Sequence, residues 1–245
     1  MKPVIFLGPS LRRDVAEALC DAEFRSPAAM GCITRAAADG APAIVLIDGV
    51  FEHGPAVWHK EILWALSRGI AVIGASSMGA LRAAELDRHG MFGAGEVYHA
   101  YAGGEVSDDD EVAVVHGPAE TGYLALSDAM VDIRDAVRAA LAANAVTAET
   151  AAAIIAEAKS CHFKQRKLLT TARGVLRQWH EGKELESALH WFQVPRLGVK
   201  ARDAAHVLRH LDSLVAEALR RAGQAPPFVP TVYLRRLEAF GYRHP

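Results

Sequence analysis

Cysteine is scarce and odd in number here: Cys20, Cys32 and Cys161 lie far apart among 245 residues. That excludes a disulfide framework and offers no zinc-ligand spacing, so a soluble protein of a reducing cytoplasm is expected, with no metal and no cofactor. Long apolar runs are missing as well. They break within about ten residues, short of the ~20 a helix needs to cross a bilayer, so no membrane contact is expected. The opening MKPVIFLGPS lacks a long h-region and an A-x-A site, and reads as a first buried strand rather than a signal peptide. Charge of one sign is absent too. A net charge of -2 argues against a dedicated nucleic-acid binder, and the basic clusters HFKQRKLL and EALRRAG then read as solvated helix faces. Neither the P-loop spacing nor G-x-G-x-x-G occurs, which discounts a nucleotide-binding module built on Gly8-Pro9-Ser10. No 20–50-residue repeat suggests a solenoid.

What is present is an alternation. PVIFLG, AIVLIDG and IAVIGA are short apolar runs that end in small residues. Each is followed by a stretch with helical spacing: SLRRDVAEALCDA with Ser10 at its N-cap, AVWHKEILWALSRG, and MGALRAAELDRHG. Continuous apolar strands separated by such helices imply βαβ crossovers and a parallel sheet. Residues 1–126 therefore read as a Rossmann-like αβα domain. From Ser127 the chain is rich in Ala, Leu, Arg and Glu without a convincing strand, so residues 127–245 read as an α-helical C-terminal region. The tail from Pro226 to Pro245 is expected to dock only loosely.

Ligands of an open parallel sheet bind where the strands' carboxyl ends deliver their loops. Three such loops carry polar or small residues: Gly8 and Ser10, Asp48 and Gly49, and the corner Ala75-Ser76-Ser77-Met78-Gly79. The corner has the spacing of a nucleophile elbow around Ser77, with Ala75 two before and Gly79 two after. Ser77, or else Ser76, is then a candidate nucleophile at a helix start whose amides stabilise an oxyanion. The plain alternative is that one of these serines caps the helix. A serine needs a base, and WHKEI supplies His59, Lys60 and Glu61 near the same sheet edge, with Asp48 to orient a partner. Arg82 and Glu85, three apart on the elbow helix, read as a surface ion pair. SDDDE, with Glu111, has oxygen ligands for a hard cation but no EF-hand spacing, and reads as an acidic turn or helix start. His116 is either a further base or a histidine bonded within the fold.

The ordered segments GPSL, IDGVFEHGPAVWHKEILWALSRGIAVIGASSMGALRAAEL, HGMFGAGEVYHAY, DDDEVAVVHGPAE and LSDAMVDIR resemble the TfuA-like family over roughly Val4 to Leu141. The resemblance implies a protein that works with a YcaO enzyme in peptide backbone thioamidation, on a ribosomally made peptide or a protein target. It also implies sulfur delivery, by hydrolysing the thiocarboxylate of a ThiS-like carrier or, without catalysis, by recruiting that donor or the peptide to the YcaO enzyme for thioamide or azoline formation. A homo-oligomer is compatible with it. Read from the strand-end loops themselves, the candidate catalytic set is Ser77, Ser76, Lys60, His59 and Asp48, with Gly8, Ser10, Gly49, Gly79, Arg82 and Glu61 as candidate binding residues. One position departs from the family. Members usually carry an acid after the glycine of SPAAMGCITRA, where this chain has Cys32, expected as a lone buried thiol.

Overall fold

Five short strands made almost wholly of apolar residues stack into one parallel sheet in the computed structural model, which describes residues 1–52, 54–223, 227–229 and 232. They are β1 (Val4–Phe6), β2 (Glu23–Arg25), β3 (Ala43–Leu46), β4 (Ala71–Ala75) and β5 (Phe92–Ala94). Their order is β2-β1-β3-β4-β5, with Val4 opposite both Glu23 and Ile44, Ala43 opposite Ala71 and Ile73 opposite Phe92. The mixed α/β class with a parallel sheet followed by helices is the one read from the sequence. The runs that announced themselves, β1, β3 and β4, are the central strands and are buried throughout. The edge strands β2 and β5 are three residues long and partly exposed, so neither leaves an apolar run in the sequence.

Four crossover helices fill the gaps, α1 (Arg13–Glu17), α2 (Cys32–Ala38), α3 (His59–Ser67) and α4 (Met78–Leu86), and α5 (Glu96–Ala102) follows the last strand. The helix expected from Ser10 shrinks to the five residues of α1. Its N-cap is Arg12, and the Ser10 hydroxyl is spent elsewhere. Helix α4 presses onto the sheet because two glycines let it. A Cβ on Gly79 would stand 1.7 Å from the Leu46 carbonyl oxygen, and one on Gly74 would stand 2.1 Å from that of Gly79.

The chain forms two compact units: Met1–Ser107 together with the chain from Ala201, and Asp108–Lys200. In the second unit α6 (Met130–Ala142), α7 (Ala148–Ser160), α8 (Leu168–Trp179) and α9 (Gly182–Gln193) enclose a core that includes Ile133, Val137, Ile154, Leu176 and Phe192. The last helical stretch breaks at His210 into α10 (Val199–Arg209) and α11 (Leu211–Ala222). Ala204, Val207, Leu208, Leu211 and Ala218 pack against Ile5, Val45, Ile47 and Ile73, and so cover one face of the sheet together with Leu11 and Ala16. The expected loose docking of the tail lies almost entirely outside the described residues. Among those described, no helix is long and apolar enough to cross a membrane.

Asp203 of α10 ties that layer down. Its carboxylate accepts the amides of Glu96 and Val97 at 2.8 and 2.9 Å, at the start of α5. Gly95 makes room: its φ is +94°, and a Cβ there would lie 2.4 Å from the Asp203 carboxyl carbon. Burial pushes the Asp203 carboxyl up to about 6, although the two amides pull the other way; Glu96 raises it further and Arg202 lowers it.

Two outcomes follow from these contacts. Gly79→Ala should lower stability by at least about 3 kcal/mol, because backbone blocks the new methyl. Gly174→Ala, whose Cβ meets open space on α8, should raise it by up to about 1 kcal/mol. Chemical denaturation of both variants checks the pair. For Asp203, the folded pKa lies above the ordinary carboxylate value. The folded chain therefore holds the extra proton between about pH 4 and 6, and this group's contribution falls as pH rises through that window. Melting curves of Asp203→Asn against the parent should show the gap between them shifting in the variant's favour by a few degrees from pH 4.5 to 7.

Candidate functional site

The sheet order makes the chain leave β1 outward for β2 and return past β1 to β3. The carboxyl-end loops of β1 and β3 therefore flank a topological switch point, the usual ligand crevice of such sheets. Asp48 spans it. The residue is 1% exposed, and its Oδ2 accepts the amides of Gly8 and Ser10 at 2.9 and 3.1 Å, while Oδ1 accepts the Ser10 hydroxyl at 2.7 Å. Loop amides that often receive a phosphate in these folds are here taken by the chain's own carboxylate. Gly8 has Pro27 against it, since a Cβ there would stand 2.4 Å from the proline ring. Gly49 is pinned between Met78 and the Ala28 carbonyl, and the Ala28 and Val50 amides donate to Asp48 and Ala28 at 2.9 and 2.8 Å.

The corner after β4 is strained at one residue. Ser76 has φ +69°, a left-handed conformation unusual for a side chain with a Cβ, and is wholly buried. Ser77 follows as the N-cap of α4, 7% exposed, and its hydroxyl makes no cap hydrogen bond. Simple capping is therefore not what the second serine does. The amides of Ser77, Gly79 and Ala80 donate to the carbonyls of Ala75, Ile47 and Ser77 at 2.7, 3.2 and 2.9 Å. The row of free helix-start amides expected here is largely engaged. Gly79 serves this corner as a close-packing residue. Sequence spacing selects Ser77 as the elbow residue, whereas the backbone places the strain on Ser76, two residues after Gly74 rather than after Ala75.

The three residues proposed around a base separate. His59 is exposed and its Nε2 meets Glu85 Oε2 at 2.8 Å. Arg82 donates to the same oxygen at 2.7 Å and to the Val57 carbonyl at 3.3 Å, so the expected Arg82–Glu85 pair forms with His59 as its third member. Burial alone would raise the Glu85 carboxyl, but the bonds from His59 and Arg82 outweigh it and hold it below its ordinary value. The Lys60 ammonium stands 5.9 Å from the centre of the Phe228 ring. Among the described residues, neither His59 nor Lys60 hydrogen-bonds Ser77. Glu61 turns inward: it is 1% exposed and accepts the Gly31 amide at 2.7 Å and the Trp58 amide at 3.2 Å, joining the start of α2 to that of α3. Burial pushes its carboxyl above the usual value, against the pull of those amides. Cys32 opens α2 close by and is half-buried rather than buried. Burial raises its thiol, Glu61 adds to the rise, and its sulfur accepts the Ala29 amide at 3.4 Å.

From Asp48 at the crevice, through the strained corner, to the loop after α7, the chain matches the family model of TfuA-like proteins, at residues 48–167. Over that span, just under half of the chain, the sequence is similar to TfuA-like proteins. No curated protein matches it.

The TfuA-like span continues into the helical unit with Asp108, Asp110 and Glu111, whose carboxylate oxygens lie within 4.8 Å of one another. They have the donor set for a hard cation, but an ammonium sits among them. Lys159 Nζ lies 2.9, 2.5 and 3.0 Å from Asp108, Asp110 and Glu111. Arg134 adds two bonds of 2.9 Å to Glu111. Arg166, fully buried, donates to Asp110 Oδ2 at 2.6 Å and to the carbonyls of Ala158, Cys161 and Asp110. The cluster is thus a neutralised network in which every guanidinium nitrogen of Arg166 is used, as burial of a charge requires. His116 is bonded within the fold, its Nδ1 2.8 Å from the Gly117 carbonyl and its ring edge-on to Tyr123.

Asp48→Asn should expose the tie's importance. An amide keeps one oxygen for the two backbone N–H groups and turns its NH2 to the Ser10 hydroxyl, but it loses the carboxylate charge that strengthens all three bonds, at a cost of about 2–4 kcal/mol, while Ser10→Ala, losing one bond, should cost about 1 kcal/mol. Urea titrations of the two variants measure the difference.

Proposed function

We propose that this protein acts with a YcaO enzyme in peptide backbone thioamidation, releasing sulfur by hydrolysing the thiocarboxylate of a ThiS-like carrier protein at the corner after β4. The observation that carries the reading is the strained backbone of Ser76 inside a TfuA-like span. Strain of this kind persists where surrounding structure imposes it, and it gathers at reacting groups.

In this reading the Ser76 hydroxyl attacks the thiocarboxylate carbon and its oxygen forms the acyl bond as the C–S bond breaks. Sulfide cannot depart as a dianion at neutral pH, so it leaves as HS⁻ carrying the serine proton. Water then hydrolyses the ester, giving a carboxylate and a proton and restoring the serine. The sum is thiocarboxylate plus water to carboxylate plus hydrogen sulfide. The first half needs no separate base in its balance, which suits a corner where His59 and Lys60 are turned to Glu85 and Phe228. Ser77 and its neighbours shape the turn, and Asp48 holds the adjoining loop.

A second reading, a non-catalytic partner that brings the carrier or peptide to the YcaO enzyme, draws on the same engagement of His59 and Lys60 and on the complete burial of Ser76. Sulfide release from thiocarboxylated carrier by the purified protein separates the two. Ser76→Ala should reduce release by at least ~100-fold, whereas Ser77→Ala should cost less than about tenfold. Ser76→Gly, which relieves the left-handed backbone, should hold or raise the melting temperature while ending release. Undiminished release in Ser76→Ala would overturn the assignment. Thioamidation by the YcaO partner that survives every corner variant would favour recruitment.

A further inference from the structure

Of the 11 histidines, a single pair stands four residues apart, His206 and His210. They occupy the last turn of α10 and the residue that follows it. There the His210 amide still donates to the His206 carbonyl at 3.2 Å, so both imidazoles leave the same side of one turn. Both residues are exposed, and their ring centres lie 4.7 Å apart. Among the described residues neither ring has a hydrogen bond or an ion pair. Arg209 and Asp212, also exposed, flank the pair with opposite charges, and Arg202, one turn earlier, is paired to Glu96. The inner side of the same turn holds Val207, Leu208 and Leu211 on the sheet, which fixes the backbone that carries the rings.

Helix-end electrostatics accounts for one histidine here and not for two. A single imidazolium near the carbonyl end of a helix is favoured, whereas two of them one turn apart repel each other. Neutral imidazoles one turn apart are instead a chelating pair. Rings that share an ion bring their ligating nitrogens to about 2 Å from it, and so to about 3 Å from each other. Side chains with ring centres 4.7 Å apart reach that separation by turning about their own bonds, with no change of backbone. We propose that His206 and His210 form a two-histidine site for a divalent transition ion of the zinc, nickel and copper class, with solvent completing its shell. The donor set makes that choice: imidazole nitrogen suits those ions, whereas magnesium and calcium take oxygen. A bound ion staples the last turn of α10 across the break at His210. The site stands on the geometry of this one turn and does not rest on the proposed sulfur chemistry.

Calorimetric titration of the full chain with nickel chloride tests it. The parent should bind, and His206→Gln and His210→Gln should each weaken that binding at least ~tenfold, because each removes one of two ligands. Excess nickel should also raise the parent's melting temperature by at least ~2 °C and leave both variants within about 1 °C of their metal-free values. Absence of binding by the parent, or equal binding by either variant, overturns the site, and a parent bound without any rise in melting temperature overturns the staple. Displacement of nickel by a tenfold excess of magnesium overturns the choice of ion class. Should a variant lose helix, the parent alone decides: paramagnetic nickel should broaden amide resonances around Val207 to Leu211 first, and broadening centred elsewhere overturns the site.

Discussion

The carboxyl edge of the sheet depends on one buried charge. Asp48 lies just after β3 yet spends its carboxylate on the loop after β1, through two amides and one hydroxyl. Neighbouring loops are referenced to that join. The segment after β2 adds Ala28 to the backbone of Asp48 and Val50, and the corner after β4 hangs from the Ile47 carbonyl through the Gly79 amide. Because each of these links is a backbone bond, none can shift without breaking another. This rigidity lets Ser76 remain in a conformation that a free loop would abandon.

The same tie decides what the crevice does not do. A parallel sheet of this order presents its switch-point amides to anions, and an anion is already there, covalently part of the chain. Phosphate recognition by Gly8 and Ser10 would require displacing a carboxylate that is 1% exposed. One strand along, at β4, the edge is held differently. There the constraint is steric: Gly74 and Gly79 allow the helix to start against the strands, and the backbone turns in the space of one serine.

How much of this the sequence discloses follows from what each signal depends on. The central strands and α3, α4 and the helices from α6 onward were legible because burial on both faces, or along one stripe, leaves a periodic mark. The three strand-end loops were legible because glycine, proline, serine and aspartate gather there. Short elements left no mark: β2, β5 and the five-residue α1 are specified by their neighbours. Ala204, Leu208 and Leu211 recur at helical spacing, but nothing in that spacing says that they lie on the sheet. Partner choice was least legible. Nothing in a sequence says that Asp48 reaches Ser10, 38 residues away, or that Lys159 reaches Asp110 across 49. Those distances along the chain are closed only by the completed fold.

The two serines of the corner show why spacing and strain can disagree. An elbow motif read as small-x-Ser-x-Gly counts residues, and by that count Ala75 and Gly79 bracket Ser77. The chain instead uses Gly79 to bring the helix under the Leu46 carbonyl, which fixes where the helix begins and makes Ser77 its N-cap. The residue before an N-cap must then absorb the reversal from strand to helix. With Ala75 still paired to Ala94 in the sheet, only Ser76 remains to do so. A glycine there would make the turn without strain, so a serine at that position costs stability, of order 1 kcal/mol.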